Sequence, residues 1–293
     1  MSESFRRLGW FGAIYVAVTT GSWLLFLIML PIGNMVDFAF RPFLSPGELG
    51  GPRDQYGLGN LSTALLDDFN RAIFLKTIWA SVLVTVISLA VCYPIAFMLA
   101  SHRRSSMTRL LLLAIIVPFL INEVLRAFAW QLLLANKGAI NQALLWIGVI
   151  KEPIDFLRHN VGVLIGLVYA YVLFMIFPLY SSMENLNRSQ IEAAGDLGAS
   201  WWRIHWDIII PHSKPGIASG CVTVFMLAAG SYAIPQMLGG TRGLWFTQLI
   251  YNQFEAINWN MGAAYALCLV VLCLIFIFLV MSLFKVSFRD IAR

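Results

Sequence analysis

The chain contains 293 residues, of which 59% are hydrophobic and 12% are charged, and its mean hydropathy is +0.77. Soluble domains contain about 45–50% apolar and about 25% charged residues, so this composition excludes a soluble protein and indicates an integral membrane protein. The formal net charge of +5 is typical of attraction to anionic lipid, and no basic stripe with interleaved aromatic residues indicates nucleic-acid binding.

Six apolar stretches predict membrane-spanning helices, because a span needs roughly 20 apolar residues. In chain order they are residues 10–33, 74–100, 110–134, 161–180, 216–238 and 263–284. Strands of a membrane barrel are shorter and alternate in polarity, so the predicted fold is an all-α polytopic helical bundle in a single domain, residues 1–293. The first stretch follows Arg6 and Arg7 as a signal peptide would, but its length and the lack of a small-residue cleavage site predict a retained helix.

Lysine and arginine are distributed as expected for a chain with both termini in the cytoplasm. They are more frequent in the segments that this orientation places inside, above all Arg103 and Arg104 in a short loop. The outer loop, about residues 35–73, is rich in glycine and proline and predicts a turn-rich surface. An apolar run over residues 139–147 predicts a short interfacial helix on the same side.

No motif in the chain predicts catalysis: there is no Gly-rich phosphate-binding loop, no HExxH and no GxSxG. We therefore predict a non-catalytic subunit with no catalytic residues, no metal site and no cofactor of its own. The cysteines have no metal-binding spacing and are interpreted as packing residues of the spans; they are Cys92, Cys221, Cys268 and Cys273. The histidines are predicted outside the hydrocarbon and are assigned no proton relay; they are His102, His159, His205 and His212.

A hydrophilic segment, about residues 182–215, separates the fourth and fifth predicted spans. Ser189 and Glu192 have the spacing of a capping box, in which each side chain bonds a backbone N–H at the start of a helix. Gly198 stands where a left-handed residue would end that helix.

A second helix is expected immediately afterwards. Ser200 is placed to cap it, residues 201–210 form it, and Pro211 is predicted to end it. The two helices together predict a rigid protrusion that docks into another protein. The alternative is a well-capped cytoplasmic helical hairpin with no partner.

The spacing of several residues in this segment is specific. Glu192-Ala193-Ala194 is followed by Gly198, Ile209, Pro211 and then Lys214-Pro215-Gly216. This string resembles the EAA loop of inner-membrane permeases of binding-protein-dependent ABC importers, which have the type I permease fold. In that family the loop carries a coupling helix that inserts into a cleft on the ATP-hydrolysing subunit.

The resemblance covers most of the chain. Residues 230–240 and 258–264, and Pro118-Phe119 with the residues from Arg126 to Trp130, are similar to the spermidine/putrescine branch of the family. One departure is Asn260, because the family commonly has a proline after Asn-Trp.

The resemblance implies a set of partners and a set of coupling residues. The partners are two ATP-binding subunits that hold ATP and Mg²⁺, a second, homologous permease subunit in a heterodimer, and an extracytoplasmic solute-binding protein, all at a bacterial-type inner membrane. The residues expected to couple to the ATPase are Glu192, Ala193, Ala194, Asp196, Leu197, Gly198 and Pro211.

Polar and aromatic residues within the spans indicate a solute path. Glu123 and Arg126 lie one helical turn apart, within pairing distance: either the two charges neutralise one another, or Glu123 or Arg126 lines the path. The full set of predicted path residues is Glu123, Arg126, Trp130, Tyr232, Pro235 and Gln236. Packing in a kinked helix also explains the proline, and interfacial anchoring also explains the aromatic residues.

The favoured substrate is a polyamine or a related small cationic or zwitterionic amine, carried by alternating access. One alternative is an importer permease for another small organic solute, such as an amino-acid derivative. Another is an ion-coupled secondary carrier, which would need its own coupling-ion site and often contains inverted repeats. A membrane-embedded enzyme or a non-transporting assembly factor is the remaining alternative.

Overall fold

The computed structural model describes residues 3–44, 47–48, 50–102, 105–158, 160–240 and 243–286. Arg103, Arg104 and His159, which the sequence analysis singled out, lie outside the described residues. Every regular element in the described ranges is helical, which confirms the predicted all-α fold.

α-Helices make up most of the described chain, and the longest connections lie between α2 and α3 and between α7 and α8. In chain order they are α1 (Glu3–Leu24), α2 (Leu30–Phe40), α3 (Gly59–Leu66), α4 (Asp68–Ser101), α5 (Ser106–Ile116), α6 (Glu123–Leu134), α7 (Ala139–Trp146), α8 (Val161–Glu184), α9 (Arg188–Asp196), α10 (Trp201–Ile204), α11 (Ile210–Gly230), α12 (Ala233–Leu238), α13 (Phe246–Glu255) and α14 (Trp259–Phe284). Two π-helical segments, Leu25–Met29 and His205–Ile209, join α1 to α2 and α10 to α11. A 3₁₀ segment, Val117–Leu120, follows α5.

Four helical runs among the described residues are long and apolar enough to cross a membrane: Trp10–Phe40, Asp68–Ser101, Val161–Glu184 and Trp259–Phe284. A fifth is formed if Ser106–Leu120 and Glu123–Trp146, which are bent by 94° relative to one another, count as one broken span. The predicted span 216–238 is instead divided between α11 and α12. The count of six spans and the cytoplasmic location of both termini stay predictions of the sequence.

The chain divides into two compact units, of which the first contains Met1–Asn70 and Leu249–Cys268. Its small core consists of Ala39, Ala263 and Ala264 with surrounding apolar side chains. Asn260 donates from Nδ2 to the carbonyl oxygens of Phe38, at 3.2 Å, and Arg41, at 2.9 Å. These carbonyls lie at the end of α2, where helical partners run out. Asn260, the departure from the family pattern, therefore caps a helix here.

The outer loop belongs to this first unit and is organised around Arg41. Its guanidinium contacts Asp37 at 3.1 Å and Asp54 at 3.3 Å, and it donates to the hydroxyl of Tyr56 at 2.9 Å. The hydrogen bond to Tyr56, followed by the two carboxylates, raises the pKa of Arg41. The predicted turn-rich loop is thus an ordered surface, and it also contains the helix α3.

The second unit contains Arg71–Gln248 and Leu269–Arg293, and its core lies between α8 and α11. Gly216 and Gly220 form a GxxxG pattern on α11, which permits the close backbone approach typical of helices in membranes. A Cβ atom on Gly216 would overlap the carbonyl oxygen of Pro178 and lie 2.6 Å from the Cβ of Ser182. A Cβ atom on Gly220 would lie 2.7 Å from the sulfur of Met175. The two helices are therefore packed as closely as their backbones allow.

We predict that Gly216→Leu destabilises the purified chain in detergent by about 1–3 kcal/mol, because α8 and α11 must move apart to admit the side chain. The measurement is the midpoint of thermal unfolding. The matched control is Gly33→Leu on α2, where an added Cβ atom meets nothing within 4 Å. Equal midpoints for the two variants would contradict this account of the packing.

Candidate functional site

The first helix of the hydrophilic segment, α9, begins two residues earlier than expected. Asn187 is its N-cap, and Oδ1 of Asn187 accepts from the backbone N–H of Ser189 at 3.2 Å. Ser189 lies inside the helix, and its hydroxyl donates to the same Asn187 oxygen at 2.8 Å. The predicted capping box of Ser189 and Glu192 is therefore wrong. Asparagine is at least as good an N-cap as serine, and it precedes the first helical turn.

The end of α9 agrees with the prediction. Gly198 has φ +80°, in the left-handed region, and its N–H donates to the carbonyl of Gly195 at 2.9 Å. The N–H of Ala199 donates to the carbonyl of Ala194, also at 2.9 Å. These two bonds form a Schellman motif, which satisfies carbonyls at the helix end and is favoured by glycine. Gly198 therefore stops the helix and turns the chain.

α9 presents one face to the protein and the other to solvent. Ile191 packs against the core of the second unit, and Ala194 is half-buried. The outward face is exposed, with Leu197 at 87% exposure; its residues are Glu192, Ala193, Asp196 and Leu197. Leu197 is the apolar side chain at the tip of this face, beside the carboxylates of Glu192 and Asp196.

The inward face of α9 rests on the ends of two long helices. Ile191 shares a cavity of about 30 Å³ with Phe97 and Ala100 of α4, Met183 of α8 and Ile209 of the π-helical segment. A displacement of α9 would therefore act directly on α4, α8 and the helix that follows.

The second helix of the segment starts as predicted but does not stop at Pro211. The hydroxyl of Ser200 accepts from the N–H of Arg203 at 3.4 Å and caps α10. The helix then continues through the π-helical segment His205–Ile209 and through Pro211 and Pro215 to the end of α11 at Gly230. The predicted stop at Pro211 is wrong.

The π-helical segment explains how the helix passes the proline. Pro211 has no N–H to donate to the preceding turn, and its ring crowds the carbonyl of residue i−4. In the wider turn the N–H of Ile210 donates to the carbonyl of His205, an i→i−5 bond. The segment from Trp201 to Gly230 is therefore one long helical run with a local change in pitch.

The predicted path residues on α6 lie at the break between the two bent helices. Asn122 caps α6, and its Oδ1 accepts from the N–H of Val124 at 2.8 Å. Glu123 accepts from the hydroxyl of Tyr171 on α8, with Oη and Oε1 3.0 Å apart. The guanidinium of Arg126 lies over the ring of Phe119, 5.2 Å from its centre.

Within the described residues, Glu123 and Arg126 form no ion pair, so the alternative in which the two charges neutralise one another is wrong. Each side chain has a partner on another element that holds it elsewhere. Trp130 lies one turn further along α6, and its ring meets Tyr169 edge-on with 5.4 Å between centres.

The remaining path residues lie at a second break, between α11 and α12. The break falls at Ser231 and Tyr232, and Pro235 lies in the first turn of α12, where its missing N–H removes no helical bond. Gln236 is exposed, and its Oε1 accepts from Nε2 of Gln248 at 2.6 Å. Pro235 has no N–H to donate to the carbonyl of Ser231, four residues earlier, so a continuous helix here would leave that carbonyl without a donor.

Two residues of α13 that the sequence analysis missed hold this break in place. The hydroxyl of Thr247 donates to the carbonyl oxygen of Ser231 at 2.7 Å, and Oε1 of Gln248 accepts from the N–H of Trp245 at 2.7 Å. Both are buried. The sequence pattern that could have indicated them is a Thr-Gln pair directly after Trp245 and Phe246, between the predicted spans 216–238 and 263–284.

The two breaks lie close together because α12 packs against both α6 and α8. A Cβ atom on Gly166 of α8 would lie 2.5 Å from Leu238 and 3.0 Å from Ile234, both on α12. Irregular backbone in a membrane protein is found where it is buried or lines a cavity, and broken helices often form solute sites. The structure thus brings Glu123 and Arg126 into the same region as Tyr232, Pro235 and Gln236.

The comparison with protein families identifies the chain. Residues 92–292 match the model of the "Binding-protein-dependent transport system inner membrane component". The chain belongs to this family. It is a non-catalytic permease subunit of an ABC importer, it is a multi-pass protein of the cytoplasmic membrane, and it works with a solute-binding protein.

Individual relatives are similar over most of the permease. The spermidine/putrescine transport system permease protein PotB of Escherichia coli strain K12 is 36% identical over 255 residues, covering 87% of this chain and 91% of that protein. PotB of Haemophilus influenzae is 32% identical over 262 residues, covering 88% of each. The inner membrane ABC transporter permease protein YdcU of E. coli K12 is 30% identical, covering 74% of this chain and 72% of that protein.

Two solved structures have the same fold. A bacterial ABC transporter that imports the acidic polysaccharide alginate matches with a TM-score of 0.72 and 16% identity, covering 93% of this chain and 95% of that chain. The alginate transporter in complex with an alginate pentasaccharide-bound periplasmic protein matches with a TM-score of 0.76 and 16% identity, covering 94% and 96%. These matches confirm the type I permease fold expected from the sequence.

We predict that Thr247→Val destabilises the purified permease by about 1–3 kcal/mol, because the buried carbonyl of Ser231 loses its hydrogen-bond donor. The readout is the midpoint of thermal unfolding in detergent. Thr223→Val is the matched control, since the Thr223 hydroxyl donates only within its own helix, to the carbonyl of Ser219 at 2.9 Å. A midpoint for Thr247→Val no lower than that of the control would count against this role.

Proposed function

We propose that this permease forms the translocation path of an ATP-driven importer for a polyamine such as spermidine or putrescine. The single observation that carries the choice of substrate is the 36% identity to a spermidine/putrescine permease over 87% of the chain. The path is built from two helix breaks that present a carboxylate, an amide and aromatic rings, groups that suit ammonium ligands.

In this proposal α9 is the coupling helix, and it docks into an ATP-hydrolysing subunit. The outward face of α9 makes this contact, through Glu192, Ala193, Asp196 and Leu197. Ala194 determines how deeply the helix docks, and Gly198 ends the helix. Pro211 lies in the long helical run from Trp201 to Gly230, which we propose is displaced together with α9. ATP and Mg²⁺ are held by two such partner subunits, and a second, homologous permease completes the path as a heterodimer.

The long helical run supports a mechanical route from the ATPase to the path. The segment from Trp201 to Gly230 begins beside α9 and ends at the break at Ser231 and Tyr232. A helix transmits displacement along its axis because its backbone bonds resist stretching. Closure of the ATPase subunits would shift α9 and move this break, so that the path opens to the other side of the membrane.

The residues proposed to line the path are those gathered at the two breaks. Glu123 and Arg126 lie on α6, and Tyr232, Pro235 and Gln236 lie at and within α12. Trp130, with its edge-on partner Tyr169, supplies an aromatic surface one turn beyond Arg126.

The substrate is tested with the complete importer, purified with its co-isolated partners and reconstituted in proteoliposomes. We expect labelled putrescine or spermidine to accumulate only when ATP and the cognate solute-binding protein are both present. Accumulation of an amino-acid derivative but of neither polyamine would overturn the substrate proposal. Accumulation driven by an ion gradient without ATP would favour a secondary carrier.

Coupling is tested by Leu197→Asp. We expect this change to abolish co-purification of the ATPase subunit and to reduce uptake more than tenfold, because a carboxylate cannot enter an apolar cleft without losing its hydration, which costs at least ~1.4 kcal/mol. Leu197→Met is the conservative control and should keep both properties. The permease should reach the membrane in equal amounts in both variants, since the side chain is 87% exposed. Normal uptake by Leu197→Asp would refute α9 as the coupling helix.

A further inference from the structure

The break between the 3₁₀ segment and α6 forms a bend of 94° between two helical arms. Phe119 lies at the end of the first arm, and Glu123 and Arg126 lie in the first turn of the second. The cation–π contact between Arg126 and Phe119 therefore crosses the bend, with 5.2 Å from the guanidinium carbon to the ring centre. It keeps the guanidinium on the aromatic ring and away from the carboxylate of Glu123.

α8 contacts both arms of this bend with two residues from one face. Tyr171 donates to Glu123 on the second arm at 3.0 Å. Phe174, three residues later, meets the ring of Phe119 on the first arm edge-on, with 5.4 Å between centres. Because positions i and i+3 lie on the same side of a helix, α8 fixes the two arms relative to each other at this point.

The hydrogen bond from Tyr171 to Glu123 is already formed within the protein itself. The phenol is only 6% exposed, so its donor has already lost its contact with water and the bond to Glu123 does not compete with solvent. Glu123 itself is half-buried and lies in the first turn of α6, where the helix dipole favours a negative charge. One carboxylate oxygen is thus fixed by Tyr171, and the group as a whole has no ion-pair partner among the described residues.

We propose that Glu123 receives an ammonium group of the substrate and that Tyr171 is the positioning residue that holds its carboxylate toward the path. This inference rests on the proposed function, and it names the chemical group that the path recognises. Phe119 holds the guanidinium of Arg126, and this positive charge one turn away limits how tightly a cation binds. A transport path needs such weak binding, because a solute must leave the site as readily as it enters.

The proposal is tested with the complete importer, reconstituted in proteoliposomes together with its solute-binding protein. The measured quantity is the number of labelled putrescine molecules accumulated per phosphate released from ATP, which does not depend on how much importer is present. We expect Glu123→Gln to lower this ratio roughly tenfold or more, and Tyr171→Phe to lower it several-fold, since each removes part of a charge-assisted interaction. The double variant should be no worse than Glu123→Gln alone, because Tyr171 acts through that carboxylate.

The matched control is Tyr93→Phe on α4, which removes a buried hydroxyl that has no hydrogen-bond partner in the described part of the chain. It should keep the ratio of the unmodified importer. Multiplicative losses in the double variant would overturn the positioning role of Tyr171, and an unchanged ratio in Glu123→Gln would overturn the ammonium site. If the unmodified importer accumulates neither putrescine nor spermidine, the proposed function fails, whereas an unchanged ratio in Glu123→Gln with normal polyamine uptake refutes this inference alone.

Discussion

The requirement that every backbone polar group find a partner inside the protein governs this structure. In hydrocarbon there is no water to bond an unpaired N–H or C=O, so a helix can be broken only where side chains replace the lost bonds. Asn122 does so at the start of α6, and Thr247 does so at the carbonyl of Ser231. Asn260 has the same task at the end of α2. The breaks are possible because these polar side chains are in place.

The same requirement explains why the helix through Pro211 is continuous. A proline removes one donor, and a stop at that point would expose further backbone groups near the membrane surface. The π-helical turn before Pro211 keeps the run intact and changes only its pitch. As a result one helical run leads from Trp201, beside the helix α9 that is proposed to couple to the ATPase, to the break at Ser231.

The residues of the proposed path show that spacing along one helix does not by itself predict which side chains bind one another. Glu123 and Arg126 have the spacing of an ion pair on one helix face, and spacing alone predicts that they bind one another. In the structure each is held by a residue from another element, Tyr171 or Phe119, and those contacts depend on how α8 packs against the bend. Separation of the two charges leaves a carboxylate available to a cationic solute.

The sequence by itself determined the membrane class, the all-α fold, the short helix α7, the glycine end of α9 and the family of the chain. These features depend on composition, on local backbone preference at Gly198, or on a motif of fixed spacing, and none of them needs knowledge of distant contacts. The cap at Asn187 and the passage of the helix through Pro211 are local alternatives that the sequence also permits, and the structure selects them. Only the tertiary structure decided the partner of Glu123 and the role of Thr247, because these contacts depend on how separate helices pack together.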